Sequence, residues 1–141
     1  MTRIPTDAFT FGCAWLASAA TLAVHVADEA AHDFLSWYNP QALRIRARLR
    51  GVPFPPTFTF WPWLGGLSAG VVALALLTPL AFAGVPSLVD VAYALAVVHV
   101  VNGVLHLSGG IISRRAVPGI WSAPLLIAAG VWLGYAAWQV R

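Results

Sequence analysis

The sequence predicts an all-α membrane domain, a bundle of four transmembrane helices. Three observations lead there. Hydrophobic residues make up 60% of the 141 and charged residues only 9%, against about a quarter charged in an average soluble domain. Four apolar runs each reach the roughly 20 residues that a bilayer crossing needs. Stretches rich in proline, glycine and arginine separate the runs. A soluble fold of this length cannot hide so much apolar side chain, so lipid must cover it. The length fits one domain, residues 1–141.

The first helix is expected over about 8–37. Its apolar part, FTFGCAWLASAATLAVHVA, ends at Ala27, and its helical pattern continues until Asn39-Pro40 breaks it. No basic stretch leads to a small-residue cleavage site, so this run reads as a retained helix rather than a signal peptide. The second helix is expected over about 58–83, after a lead-in containing Pro53, Pro55 and Pro56. The third covers about 88–112, after Pro86-Ser87. The fourth covers about 118–140, opened by Pro118-Gly119. The single cysteine, Cys13, excludes an intrachain disulfide. Several of the seven tryptophans stand where interfacial anchors belong.

The net charge of +3 comes from arginine alone. The segment QALRIRARLR, between the first two runs, holds Arg44, Arg46, Arg48 and Arg50, and the last connection holds Arg114 and Arg115. The middle connection has no basic residue, and Arg3 and Arg141 stand near the termini. Six of the eight arginines thus fall on one side of the membrane, which the positive-inside rule makes cytoplasmic. Both ends of the chain are then expected outside, with a short Arg-rich cytoplasmic connection between the first and second helices. That connection is either a plain topology anchor or a short interfacial helix. Arginines placed this way are explained by orientation in the cell (cytoplasmic or inner) membrane, not by nucleic acid.

The chemistry lies in two stripes. His25, Asp28, Glu29 and His32 stand at offsets 0, 3, 4 and 7 on the first helix. At about 100° per residue they share one face. His99, Asn102 and His106 stand at offsets 0, 3 and 7 on the third. Every histidine in the chain belongs to one of these stripes. His25 and His106 fall at similar depth on parallel helices, so the stripes can face each other across the bundle. Ionisable groups inside a span are costly and mark function by default. Histidines and carboxylates projecting from facing helices are how bundles build metal sites. A lone histidine would read instead as polar glue between helices; His32, beside Asp33 and Trp37, can simply be interfacial.

The strings HVADE at 25–29, NGVLH at 102–106 and RRAVPGIWSAPLL at 114–126 together resemble the HXXEE-domain proteins, small bacterial membrane proteins named for a His-x-x-Glu-Glu motif. His25 and Glu29 match the first histidine and last glutamate of that motif, and Asn102 and His106 match a downstream Asn-x-x-x-His. Asp28 departs from it, keeping the charge with a shorter reach. The resemblance supports the site without naming a reaction.

The expected function is a membrane-embedded metalloprotein, leaning towards an enzyme of hydrolase or oxidase type that acts on a lipophilic small molecule. The expected ligands are His25, Glu29 and His106 with one or both of His32 and His99, holding zinc, iron or manganese. Asp28 is expected as a further ligand or general base, Glu29 as a ligand that also takes part in catalysis, and Asn102 as a substrate or supporting group. Three alternatives remain open: a metal-free acid/base isomerase of a sterol-like or terpene-like substrate, a b-type haem protein, and a proton-coupled transporter.

Overall fold

A computed structural model describes residues 6–49 and 52–141; Arg3 and Arg50 of the charge pattern lie outside the described residues. The described chain is helical: α1 (Thr6–Ala31), α2 (Phe34–Arg48), α3 (Phe60–Phe82), α4 (Pro86–Ser113) and α5 (Ala123–Val140). All but α2 are long and apolar enough to cross a membrane. Their outward faces carry large apolar side chains such as Leu76, Val97, Leu105 and Trp138, as expected of a multi-pass membrane protein.

Two boundaries differ from the sequence expectation. The first helix does not run unbroken to Trp37. It stops at Ala31, and Asp33 turns the chain with φ 54°, in the left-handed region that few non-glycine residues visit. The new helix α2 then continues through Asn39-Pro40 to Arg48. The amide that Pro40 lacks would have bonded to Ser36, which is solvent-exposed, so its carbonyl is not stranded. Asn39 meanwhile clamps the lead-in to α3: its Nδ2 donates to the Phe58 carbonyl at 2.9 Å, and the Phe58 amide donates to its Oδ1 at 3.1 Å. The last helix starts at Ala123, not Pro118, because Gly119 adopts φ +80°. That conformation interrupts a right-handed helix, and residues 117–122 form successive turns instead.

Buried positions recur at helical spacing. On α1 they include Phe11, Trp15, Ser18, His25 and Glu29; on α4, Ala92, Ala96, His99, Gly103, His106 and Gly110; on α5, Leu126, Gly130, Leu133 and Ala137. The helix α5 packs against both α1 and α4, whereas α3 packs against α1, with the Trp15 indole donating to the Leu74 carbonyl at 2.8 Å. The apolar core of Phe11, Trp15, Leu74, Leu88 and Leu133 lies towards the end that holds the α3–α4 turn. Towards the opposite end, α1 and α4 meet through polar side chains.

The α4–α5 contact depends on glycine. A Cβ at Gly103 would lie 2.5 Å from Ile127 Cγ1 and 2.8 Å from the Ala123 carbonyl oxygen. Small residues of this kind let membrane helices approach closely. Gly103→Ala is therefore expected to destabilise the bundle by about 1–3 kcal/mol. Gly70→Ala, on an open face of α3 where a Cβ meets nothing, should be neutral or stabilising by up to about 1 kcal/mol. Unfolding in detergent would show it; equal stability of the two variants would refute the close-packing account.

Candidate metal centre

Three of the predicted ligands come together. His25, Glu29 and His106 each offer one donor atom, and the three atoms lie within 4.8 Å of one another. Exposure is 1%, 4% and 2% respectively, in a bundle that is otherwise apolar. Glu29 Oε1 is 3.0 Å from His106 Nε2 and 3.5 Å from His25 Nε2. The two imidazoles meet edge to face with centroids 4.8 Å apart.

The hydrogen-bond partners decide which nitrogens face the centre. His106 Nδ1 lies 2.6 Å from the Pro118 carbonyl, which can only accept, so Nδ1 carries the proton. The Ser122 hydroxyl lies 2.7 Å from Asp28 Oδ2 and donates to that carboxylate. Its oxygen therefore accepts from His25 Nδ1 at 2.8 Å. With both Nδ1 atoms committed as donors, each ring turns its Nε2 towards Glu29, a lone pair whenever the ring is neutral. Asn102 Nδ2 donates to the His25 lone pair at 3.0 Å. Imidazole, carboxylate and amide thus converge on one buried point.

The turn 117–122 supports this arrangement. Pro118 supplies a carbonyl and Ser122 a hydroxyl, and the Ser122 amide donates to Asp28 Oδ2 at 3.0 Å. Gly119 sits against both rings: a Cβ there would be 2.8 Å from His106 Nδ1 and 3.0 Å from His25 Cε1. Helix α2 folds back over the other side, with Phe34 and Trp37 at 5.8 and 5.9 Å from the His106 ring. Phe34 in turn stacks on Trp63 of α3 at 5.6 Å. The bend at Asp33 is what brings these rings over the histidine.

The remaining predicted residues lie elsewhere. Asp28 does not join the three donors; its Oδ2 is taken by Ser122 and its Oδ1 lies 2.9 Å from His32 Nδ1. The His32 side chain is 53% exposed, at the end of α1, and also hydrogen-bonds the Asp28 carbonyl at 2.8 Å. His99 is buried but turns to Ser18, with Nε2 3.0 Å from the hydroxyl, where it bridges α4 to α1. Neither His32 nor His99 reaches the cluster. Ser122, and the Pro118 and Gly119 backbone, were not singled out as site residues in the sequence. The one signal there was the Pro-Gly pair, which reads as a helix opening.

Comparison with known proteins adds no relative: no family model, curated protein or solved structure matches this chain.

The geometry makes Gly119 decisive. Gly119→Ala should be strained at its positive φ and should push both imidazoles off Glu29. Detergent-purified Gly119→Ala is expected to keep its helix content and to bind added zinc more weakly than the native chain. Unchanged zinc titration in the variant would show that the turn does not hold the rings.

Proposed function

We propose that this chain is a membrane-embedded metalloprotein, a metal-dependent enzyme acting on a lipophilic small molecule. One observation carries the reading: two imidazole Nε2 atoms and a carboxylate oxygen, all buried, converge on one another while each Nδ1 is held by a partner outside the group. Burying such groups costs several kcal/mol unless something neutralises them. A divalent cation does so for all three at once.

The donor set fits such an ion. Mixed nitrogen and oxygen ligation suits zinc, iron or manganese. Three protein donors with a further position open is the pattern of catalytic rather than structural zinc. When bound, the ion supplies Lewis acidity and an activated water. The chain's own residues do the rest. Ser122 and the Pro118 carbonyl hold each Nδ1 proton and so aim each Nε2, the supporting hydrogen bond that metal-bound histidines nearly always have. Asp28 orients Ser122 rather than ligating. Asn102 reaches the same His25 nitrogen; were that nitrogen to hold an ion, its amide would be free to hold a substrate oxygen. Phe34, Trp37 and Trp63 close the α2 side with apolar rings and restrict water.

The end of the bundle that carries the centre also carries the arginines of α2 and the α4–α5 connection. We place it on the cytoplasmic side of the cell membrane, with both ends of the chain outside. The likeness of HVADE and NGVLH to the HXXEE-domain motifs belongs to the same proposal. Its matching residues, His25, Glu29, Asn102 and His106, are the four that converge.

Elemental analysis of detergent-purified protein tests the reading. Near-stoichiometric zinc, iron or manganese is expected in the native chain and in His99→Ala. It should be lost from His25→Ala/His106→Ala and from Glu29→Gln. Ser122→Ala should bind the ion roughly 10–100-fold more weakly. Absence of metal from native protein purified without chelators would sink the proposal. The close Glu29–His106 pair at 3.0 Å would then read as the acid/base couple of a metal-free isomerase or a proton-coupled transporter.

A further inference from the structure

Two cavities meet beside the centre and share one wall. The first, about 350 Å³, is lined by His32, Asp33, Ser36, Trp37, Arg115 and Pro118, with Ala116 and Val117. It abuts the centre, because Trp37 packs on the His106 ring and the Pro118 carbonyl accepts from its Nδ1. The second, about 530 Å³, is a groove lined by apolar Leu107, Ile111, Ile120 and Trp121 together with Arg114 and Arg115. Arg115 and Ala116 line both. Each volume falls in the range of about 300–1,000 Å³ usual for small-molecule sites.

The groove is open at the surface, with Ile111 and Trp121 highly exposed. It contains two guanidinium groups and no acid. Neither Arg114 nor Arg115 pairs with a carboxylate among the described residues. Marking topology needs only positive charge on a loop. It does not need an apolar groove beside that charge, nor a polar cavity next to it whose lining residues contact a buried histidine. Arginine presents a planar fork of donors matched to phosphate oxygens, and juxtamembrane arginines attract anionic lipids.

We propose that the substrate is a bilayer amphiphile with an acidic phosphate headgroup. Its chain lies in the groove against Leu107, Ile111 and Ile120. Its phosphate rests on Arg114 and Arg115, away from Asp33. Arg115, which lines the polar cavity as well, sets the phosphate at the edge of that cavity. Calling this molecule a substrate rests on the metal-enzyme reading above; its binding does not.

Native mass spectrometry of the detergent-purified full chain tests the binding, with dioleoyl phosphatidic acid, dioleoyl phosphatidylcholine and inorganic phosphate as probes. Phosphatidic acid should bind at least about tenfold more tightly than phosphatidylcholine, the worth of a charge-assisted contact. Arg115→Gln and Ala116→Trp should each lose about tenfold, the first by removing the fork and the second by filling the shared wall. Arg115 is exposed, so its variant keeps the test valid if Ala116→Trp fails to fold. Glu29→Gln should bind the lipid as the native chain does. No preference for phosphatidic acid, or native-like binding by Arg115→Gln, would overturn the proposal. So would inorganic phosphate binding as tightly as the lipid, since the groove would then contribute nothing. Metal content measured on the same samples separates the two readings: lipid binding without metal leaves this site and removes the metal centre, and metal without lipid preference does the reverse.

Discussion

The convergence of Glu29 Oε1 with the Nε2 atoms of His25 and His106 is the constraint on which this end of the bundle depends. Acceptors do not gather in an apolar interior unless the surroundings force the rings to face that way. Here the forcing is done at Nδ1. Each imidazole has two nitrogens and only one proton when neutral, so committing Nδ1 to Ser122 or to the Pro118 carbonyl leaves Nε2 as the lone-pair atom. The orientation of the centre is thus set outside it, by a turn distant in sequence from His25.

That turn explains features that would otherwise look like irregularities. Had α5 begun at Pro118, the Pro118 carbonyl and the Ser122 amide would have entered the helical ladder, taking the acceptor of His106 and one donor of Asp28. The positive φ of Gly119 postpones the helix to Ala123, releases those groups, and removes the one side chain that would strike both rings. The bend at Asp33 acts similarly on the other side. A straight helix to Trp37 would carry Phe34 and Trp37 away along the membrane normal, whereas α2 folds them onto His106. At both places a local departure from regular helix serves the same small group of atoms.

Much of this was legible in the sequence. Apolar run lengths gave the four spans, and the stripes at offsets of three, four and seven identified the helix faces that meet. The stripes also overstated the ligand set, for a geometric reason. Residues seven apart on a helix are separated by about 10.5 Å along its axis, while metal–ligand bonds are about 2 Å long. Four residues on one stripe can share a face without sharing an ion. Accordingly His25 and Glu29, one turn apart, converge, whereas His32 lies beyond them at the helix end and His99 lies two turns from His106 and pairs with Ser18. The Pro118-Gly119 pair and the string around it stood out in the sequence, but the roles of Pro118, Gly119 and Ser122 at the site did not. They act through a carbonyl, an absent side chain and a hydroxyl, and only the packing of α5 against α1 and α4 makes them neighbours of the histidines.

Asp28 shows how little separates a ligand from its support. It neighbours Glu29 in sequence, yet about 100° of helical rotation directs it to the turn. There its Oδ2 receives both the amide and the hydroxyl of Ser122, and two charge-assisted hydrogen bonds to one oxygen hold that hydroxyl in a single orientation. The short aspartate side chain suits this task, because Ser122 comes close to the α1 backbone on the packed α1–α5 contact and a longer acid would have to fold back to reach the same donors. Its other oxygen lies 2.9 Å from His32 Nδ1, so a line of polar contacts runs from His25 through Ser122 and Asp28 to a half-exposed imidazole on the wall of the polar cavity. His32, which does not reach the three donors, is thereby connected to them, and the polar stripe of α1 acts as one unit: two residues at the centre, one that orients them, and one at the boundary with the cavity.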